Sequence, residues 1–321
     1  MQLSGFLVKR LLAIAITTCV IIALSYTLMY YAPGSFFDQQ LVAQQTGALS
    51  AANPQAYQDL MKQWEERYGL DKPLYEQIYL YIVHSFSLNF GTSFQNSTTP
   101  IMNTLKTAFP ISVFLAIGST FIAALIGIPL GIFAAIRRNS WVDYCLTTLS
   151  LGGQAIPPYV IAVFLMLIFG VFWPVLPING WGTAQQTVLP LIALAIGNIG
   201  AITQYMRSSL IDTLNQDYIR TAKAKGVPEG ALIRKHALRN SLVALVTIVG
   251  PQIAFTVVGA TWIENLFSIP GLGTMLGNAF QANDYPLAVT SIFILSLLVM
   301  LMSLLVDIVY SLLDPRVKLG S

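Results

Sequence analysis

Charged residues are scarce in this chain. Of its 321 residues, 10% are charged and 55% are hydrophobic, whereas an ordinary soluble domain has about 25% charged and about 45–50% apolar residues. This balance excludes a water-soluble enzyme. The formal net charge of +3 is also too small to indicate a nucleic-acid-binding protein.

Cysteine is rare and the common catalytic motifs are absent. The two cysteines, Cys19 and Cys145, both lie in apolar stretches, which excludes a disulfide framework and a cysteine metal site. The sequence contains neither a phosphate-binding loop ending in Gly-Lys-Ser or Gly-Lys-Thr nor the HExxH and GxSxG motifs of hydrolases. We therefore predict no catalytic residue, no metal site and no cofactor bound by this chain.

Ionisable residues are nearly absent from the apolar stretches. Asp307 is the only acid well inside one of them, and both histidines, His84 and His236, lie outside them. A proton relay or an ion path across a membrane needs several such groups. The sequence thus indicates a pathway without an energy source of its own. An ion-coupled secondary transporter, or an anchored scaffold without a conduit, remains an alternative.

Long charge-free runs are the main feature that is present. They cover 11–37, 107–136, 144–206, 240–263 and 285–306. About 20 apolar residues cross a bilayer as a helix, so the third run is long enough for two crossings. Its middle, 173–182, is rich in Pro, Gly and Trp, which is typical of an interfacial hairpin. The predicted fold class is an all-α integral membrane protein with six transmembrane helices, because uniformly apolar runs lack the alternation of barrel strands.

The basic residues predict the orientation of these spans. Thirteen of the 17 lysines and arginines fall on one face, and only Lys62, Arg67, Lys72 and Lys106 fall on the other. Because cytoplasmic loops carry the excess of Lys and Arg, both termini are expected in the cytoplasm. The predicted order is a cytoplasmic end (1–10), helix 1 (11–32), a small external domain (33–107), helices 2–6 (108–312) with a cytoplasmic loop (207–240), and a cytoplasmic end (313–321).

Two groups of residues outside the spans allow alternative interpretations. Aromatic residues of the external domain either form a modest core, which is favoured, or rest on the membrane surface; they are Tyr75, Tyr79, Tyr81, Phe86, Phe90 and Phe94. The cytoplasmic loop has apolar residues at helical spacing up to Gly226, followed by a second short helix from Pro228. This basic helical hairpin could bind lipid headgroups or fit a cleft on a cytoplasmic partner.

Polar and kink-forming residues also occur at the depth of the spans. Gln154, Asn198, Gln204 and Gln252 could line a wet lumen or bind one another across helices. Kinks are predicted in three spans: at Gly127, Pro129 and Gly131 in the second, at Pro157 and Pro158 in the third, and at Pro251 in the fifth.

Several segments together resemble a known family. The cytoplasmic loop reads Asp-Tyr-Ile-Arg-Thr-Ala-Lys-Ala-Lys-Gly over 217–226 and Lys-His-Ala-Leu-Arg-Asn over 235–240. Three further segments, 68–74, 267–273 and 307–316, read YGLDKPL, FSIPGLG and DIVYSLLDPR. The combination resembles the B-type permease subunit of oligopeptide and dipeptide importers of the binding-protein-dependent ABC class, whose cytoplasmic loop is called the EAA motif.

The resemblance implies a function for the cytoplasmic loop. In such subunits the helix of this loop docks into a groove of an ATPase subunit, which binds the ATP and Mg²⁺. The residues implied in ATPase coupling are Asp217, Tyr218, Ile219, Arg220, Thr221, Ala222, Lys223, Ala224, Lys225, Gly226, His236 and Arg239. Gln154, Asn198 and Gln252 are the candidates for lining the pathway.

The resemblance also implies partners and a location. The expected partners are a homologous second permease subunit in a heterodimer, two cytoplasmic ATPase subunits, an extracellular or periplasmic peptide-binding protein, and membrane lipid. The expected location is the bacterial plasma membrane, and the expected cargo is an oligopeptide. A dipeptide, a nickel chelate, glutathione, or a short antimicrobial or signalling peptide is the alternative cargo within the same family.

Overall fold

The structure is a computed structural model that describes residues 2–31, scattered positions between 55 and 69, and residues 71–94 and 99–313. Much of the predicted external domain and the C-terminal residues 314–321 lie outside the described residues. They include the final Asp-Pro-Arg of the family resemblance, 314–316.

The described residues are almost entirely helical. Eleven helices are formed there: α1 (Gln2–Tyr30), α2 (Leu74–Phe86), α3 (Ile101–Ile136), α4 (Trp141–Ala155), α5 (Pro158–Met166), α6 (Ala184–Leu214), α7 (Asp217–Ala224), α8 (Glu229–Leu232), α9 (Leu238–Leu266), α10 (Leu272–Gln281) and α11 (Tyr285–Leu313). Helix α5 continues as a π-helix over Leu167–Phe172, and α8 as one over Ile233–Ala237. The predicted all-α class is thereby confirmed for this part of the chain.

Four of these helices are long and apolar enough to cross a membrane. They are α1, α3, α6 and α11, and α4 with α5 would make a fifth span. The remaining predicted span, the fifth in chain order, falls in α9, where some side chains lie outside the described residues. Six spans therefore remain a prediction, whereas a multi-pass membrane protein is established.

The predicted kink at Pro157–Pro158 is confirmed. Helices α4 and α5 meet there at 96°, and Pro157 is extended with φ −58° and ψ 141°. The residue before a proline avoids the helical region, and Pro158 fits the first helical position because it needs no N–H partner there. The third charge-free run thus starts with two short helices, and residues 173–183 connect them to α6 as predicted.

The chain divides into two compact units, of which the first comprises residues 3–110 and 270–298. In this unit α2 is held against α1 and α11 by buried polar contacts. The Tyr26 hydroxyl donates to Gln77 Oε1 at 2.8 Å. The Tyr81 hydroxyl lies 3.0 Å from the Pro286 carbonyl and 2.7 Å from Thr290 Oγ1.

Of the six aromatic residues predicted to form a core, two are buried, Phe94 is half-buried, and Tyr75, Tyr79 and Phe86 are exposed. Tyr81 and Phe90 are 6% and 3% exposed, and Phe90 packs on Phe293. Tyr75 and Tyr79 are 71% and 65% exposed. The predicted core is therefore confirmed for Tyr81 and Phe90 only. Burial raises the pKa of Tyr81 well above its ordinary value, so its hydroxyl stays protonated as a donor.

Tyr81→Phe should destabilise the first unit, whereas Tyr79→Phe should not. The change at Tyr81 removes a buried hydroxyl and leaves the Pro286 carbonyl and Thr290 short of a partner, which costs about 1–2 kcal/mol. We expect a lower thermal midpoint for purified Tyr81→Phe protein in detergent. Equal midpoints for the two variants would contradict the packing of α2 on α11.

The second unit comprises Ile111–Ile269 and the chain from Val299, and α6 is its central helix. Helix α6 packs against α4, α5 and α9. Glycines allow α3 and α4 to approach α6 closely. A Cβ added at Gly131 of α3 would lie 2.6 Å from the Thr203 carbonyl oxygen of α6, and one added at Gly200 of α6 would lie 2.3 Å from the Ser150 carbonyl oxygen of α4. Small residues with this role are typical of membrane helix interfaces.

Candidate functional site

A helix, α7, forms at the position predicted for the coupling helix. Its first turn holds Asp217 and its last turn Lys223, so both charges favour the helix dipole. The Gly226 N–H donates to the Lys223 carbonyl at 3.0 Å and the Val227 N–H to the Ala222 carbonyl at 3.3 Å. Gly226 has a φ of +81°, the left-handed conformation with which glycine ends helices. The predicted helix end is confirmed.

One face of α7 is buried and the other is free. Ile219 is 3% exposed and belongs to a core cluster with Leu210, Leu232 and Leu245. The remaining predicted coupling residues of the helix are exposed, except for the half-buried Ala222. His236 and Arg239 lie beyond α8, in the π-helix and at the start of α9, and are also exposed. The exposed face thus carries the basic side chains Arg220, Lys223 and Lys225.

A side-chain hydrogen bond joins α7 to α9, and others nearby join α9 to α6. The Asn240 side chain of α9 donates to the Tyr218 hydroxyl at 2.7 Å. The Ser241 hydroxyl, which is fully buried, lies 3.1 Å from Thr213 Oγ1 of α6. The Ser209 hydroxyl donates to the Ser241 carbonyl at 3.3 Å. A force on α7 would therefore reach α6 and α9 together.

A buried ion pair lies in α4 and α6, ahead of this region in the chain. Arg207 Nε donates to Asp143 Oδ1 at 2.5 Å, and Arg207 Nη2 donates to Asp143 Oδ2 at 2.7 Å. The Asp143 side chain is 2% exposed and that of Arg207 27%. The Asn139 N–H also donates to Asp143 Oδ2 at 2.9 Å. This bidentate pair fixes the α3–α4 turn to α6.

A polar cluster joins α6 and α9 farther along both helices. Gln252 Nε2 donates to Asn198 Oδ1 at 2.8 Å, and Asn198 Nδ2 donates to Thr256 Oγ1 at 2.9 Å. The Thr256 hydroxyl donates to the backbone carbonyl of Gln252 at 2.8 Å. Two of the three predicted pathway residues are therefore in contact.

The cluster lies on a cavity of about 480 Å³, which we call the amide cavity. Its lining residues are Pro158, Leu194, Asn198, Ala201, Tyr205, Pro251, Gln252, Phe255, Thr256 and Gly259. Gln154, the third predicted pathway residue, is not among them. It is exposed on α4, where its Nε2 donates to the Ser150 carbonyl of its own helix at 3.1 Å.

The burial of three acids in the described residues was missed by the sequence interpretation. Asp143 and Glu264 are each 1% exposed, and Asp284 is fully buried. Asp143 follows Ser140, whose side chain caps α4, so its position near a helix N-terminus could be recognised, but nothing local indicates Arg207 as its partner. Glu264 directly follows a charge-free run and was therefore placed outside the span, whereas α9 continues through it to Leu266.

Metal-binding groups do not assemble in the described part of the chain, where no cluster of three or more His, Cys, Asp or Glu could hold an ion. The absence of a cofactor site remains a prediction.

Three relatives match almost the whole chain. The dipeptide transport system permease protein DppB of Lactococcus lactis subsp. cremoris is 34% identical over 98% of this chain and 99% of its own length. The oligopeptide transport system permease protein OppB of Haemophilus influenzae is 34% identical with the same coverage. The glutathione transport system permease protein GsiC of Salmonella paratyphi A is 33% identical, again over 98% and 99%.

A solved structure and a family model agree with the fold and with these relatives. The inward-facing MetNI methionine ABC transporter has a chain that superposes with a TM-score of 0.58 at 16% identity, covering 68% of this chain and 99% of that one. Residues 127–319 match the family model described as the binding-protein-dependent transport system inner membrane component. Given these matches, the chain belongs to the family of inner membrane components of binding-protein-dependent transport systems.

Proposed function

We propose that this chain is the permease subunit of an ATP-binding-cassette importer for oligopeptides, forming half of the translocation pathway. The observation that carries the proposal is α7: a short helix with one buried face, an exposed basic face and a side-chain hydrogen bond to α9. Such a helix can transmit movement between a cytoplasmic partner and the spans. The chain itself has no catalytic role, and ATP hydrolysis belongs to partner ATPase subunits.

The proposed assembly contains two different permease subunits, two ATPase subunits on the cytoplasmic side and a peptide-binding protein on the external side. The family description, which names a binding protein, supports the last of these. Two relatives named for dipeptide and oligopeptide transport support a peptide cargo. A relative named for glutathione transport keeps that small peptide as the alternative. The distribution of lysine and arginine supports cytoplasmic termini in a bacterial plasma membrane.

Reversing two charges at the end of α7, on Lys223 and on Lys225 directly after the helix, tests the coupling role. Lys223→Glu with Lys225→Glu should weaken ATPase attachment about tenfold, equivalent to about 1.4 kcal/mol, because docking charges set specificity and association rate. The measurement is co-purification of the ATPase subunits, together with ATP-dependent peptide uptake in proteoliposomes. Capture of the binding protein should remain unchanged.

Lys106→Glu is the matched control, because Lys106 is an exposed lysine on the predicted external face. It should leave ATPase attachment unchanged. Loss of binding-protein capture in the α7 variant, with the ATPases still attached, would show that the orientation is inverted. Peptide uptake that persists without ATP while a proton gradient is kept would instead favour an ion-coupled secondary transporter.

A further inference from the structure

The polar cluster of Asn198, Gln252 and Thr256, which we call the amide cluster, uses only part of the hydrogen-bonding capacity of its two side-chain amides. A side-chain amide has two N–H donors and one carbonyl acceptor with two lone pairs. The Asn198 and Gln252 amides each donate once within the cluster, and Asn198 Oδ1 accepts one bond. One N–H on each amide and the whole of Gln252 Oε1 have no partner among the described residues.

The walls of the amide cavity are neutral and partly aromatic. None of its described lining residues is charged. Phe255 is 78% exposed and Tyr205 48% exposed, so both aromatic side chains are accessible next to the amides. The cavity volume of about 480 Å³ lies within the range of roughly 300–1,000 Å³ that is usual for small-molecule sites.

The lining of the amide cavity is more complementary to the peptide units of a cargo than to its charged termini and side chains. A peptide unit presents one N–H donor and one C=O acceptor. These are complementary to the free side-chain carbonyl of Gln252 and to the free side-chain N–H groups of Gln252 and Asn198. A site that recognised the charged termini or acidic and basic side chains of a cargo would need ionic partners, and the described lining has none. Aromatic walls make apolar contact with side chains of many shapes.

We propose that the amide cavity binds the backbone of the transported peptide, with Gln252 and Asn198 exchanging hydrogen bonds with a peptide unit. The inference rests on the proposed function and specifies its cargo contact: this cavity contacts the amide bond of the cargo and makes no ionic contact with the cargo's charged groups. A purely structural cluster would need only the bonds that already join α6 to α9. Thr256 is 6% exposed and acts as a positioning residue, because its hydroxyl holds the Asn198 amide.

Gln252→Met tests this inference in the complete transporter. Methionine keeps the length of the side chain and removes both hydrogen-bonding groups. Uptake by proteoliposomes is measured with trialanine and with its analogue methylated on both peptide nitrogens, at concentrations that saturate the binding protein with each. Gln154→Met is the matched control, because Gln154 is an exposed amide outside the cavity.

The wild-type complex should take up trialanine about five- to tenfold faster than the methylated analogue, which corresponds to one or two hydrogen bonds. Gln252→Met should lose this preference by slowing trialanine alone, and Gln154→Met should retain it. If Gln252→Met slows both peptides equally, or if the preference survives, the inference is overturned. If Gln252→Met does not assemble into the complex, Asn198→Leu replaces it as the test variant and is measured in the same way.

The same assay separates failure of the inference from failure of the proposed function. A wild-type complex that takes up neither peptide in the presence of ATP would refute peptide import, and the backbone contact with it. Normal trialanine uptake without discrimination against the methylated analogue would refute the backbone contact alone.

Discussion

Arg207→Ala should destabilise the protein by about 1–3 kcal/mol, the usual cost of leaving a buried polar group without its hydrogen-bond partner, because the Arg207 side chain is itself 27% exposed and the pair is only partly buried. The Asp143 carboxylate, 2% exposed, would keep only its Asn139 and Thr147 contacts, and water entering the space left by the guanidinium would replace the two lost bonds only in part. The thermal midpoint of the purified protein in detergent should fall sharply, and the yield of folded protein with it.

Arg239→Ala provides the control, because Arg239 is exposed at the start of α9. It should change the midpoint little. Arg207→Met combined with Asp143→Leu should recover much of the loss, since apolar residues of similar volume often replace a buried pair without cost. Arg207→Ala protein as stable as Arg239→Ala protein would contradict a structural role of the ion pair.

Gly226→Val should detach the ATPase subunits from the complex. The left-handed backbone of Gly226, with φ +81°, costs a non-glycine residue about 1–3 kcal/mol, and a β-branched one is a genuine outlier there. Nothing lies within 4 Å of a Cβ built at this position, so the penalty comes from the backbone and not from a clash. We expect the end of α7 to unwind, with up to about a 100-fold weaker attachment.

Gly226→Asn separates backbone strain from the mere presence of a side chain. Asparagine tolerates the left-handed region better than other non-glycine residues, so this variant should retain most of the attached ATPase and most of the uptake. The measurement is the ratio of ATPase to permease after purification, together with peptide uptake. Equal behaviour of the valine and asparagine variants would exclude the conformation of Gly226 as the cause.

Local patterns were sufficient to predict where α7 ends and which face it buries, whereas its start at Asp217 was implied only by the family resemblance. The residues that end it, Gly226 and Pro228, lie next to it in the chain, and the apolar spacing that includes Ile219 identifies its buried face. The bend before α5 was predictable for the same reason, since proline restricts its own backbone and that of the preceding residue. In each case the cause lies within a few residues of its effect.

The polar sites were predictable only in part. Asn198 and Gln252 are conspicuous in apolar runs, yet their contact with each other joins residues 54 apart, and Gln154 is equally conspicuous but lies outside the cavity. Tyr79 and Tyr81 have the same chemistry two residues apart on α2, and only the second faces α11. Composition cannot separate such residues, because burial depends on which neighbouring helix is present.

The sequence by itself determined that this chain crosses a membrane several times and that α7 ends at Gly226, because hydrophobic length and backbone preference are properties of neighbouring residues. The tertiary structure alone decided that Asp143 is paired with Arg207, 64 residues away, that α6 and α9 share an amide cluster, and that one cavity lies beside it. A hydrogen bond or a cavity between helices exists only where packing brings distant segments within about 3 Å, and no local pattern encodes that distance.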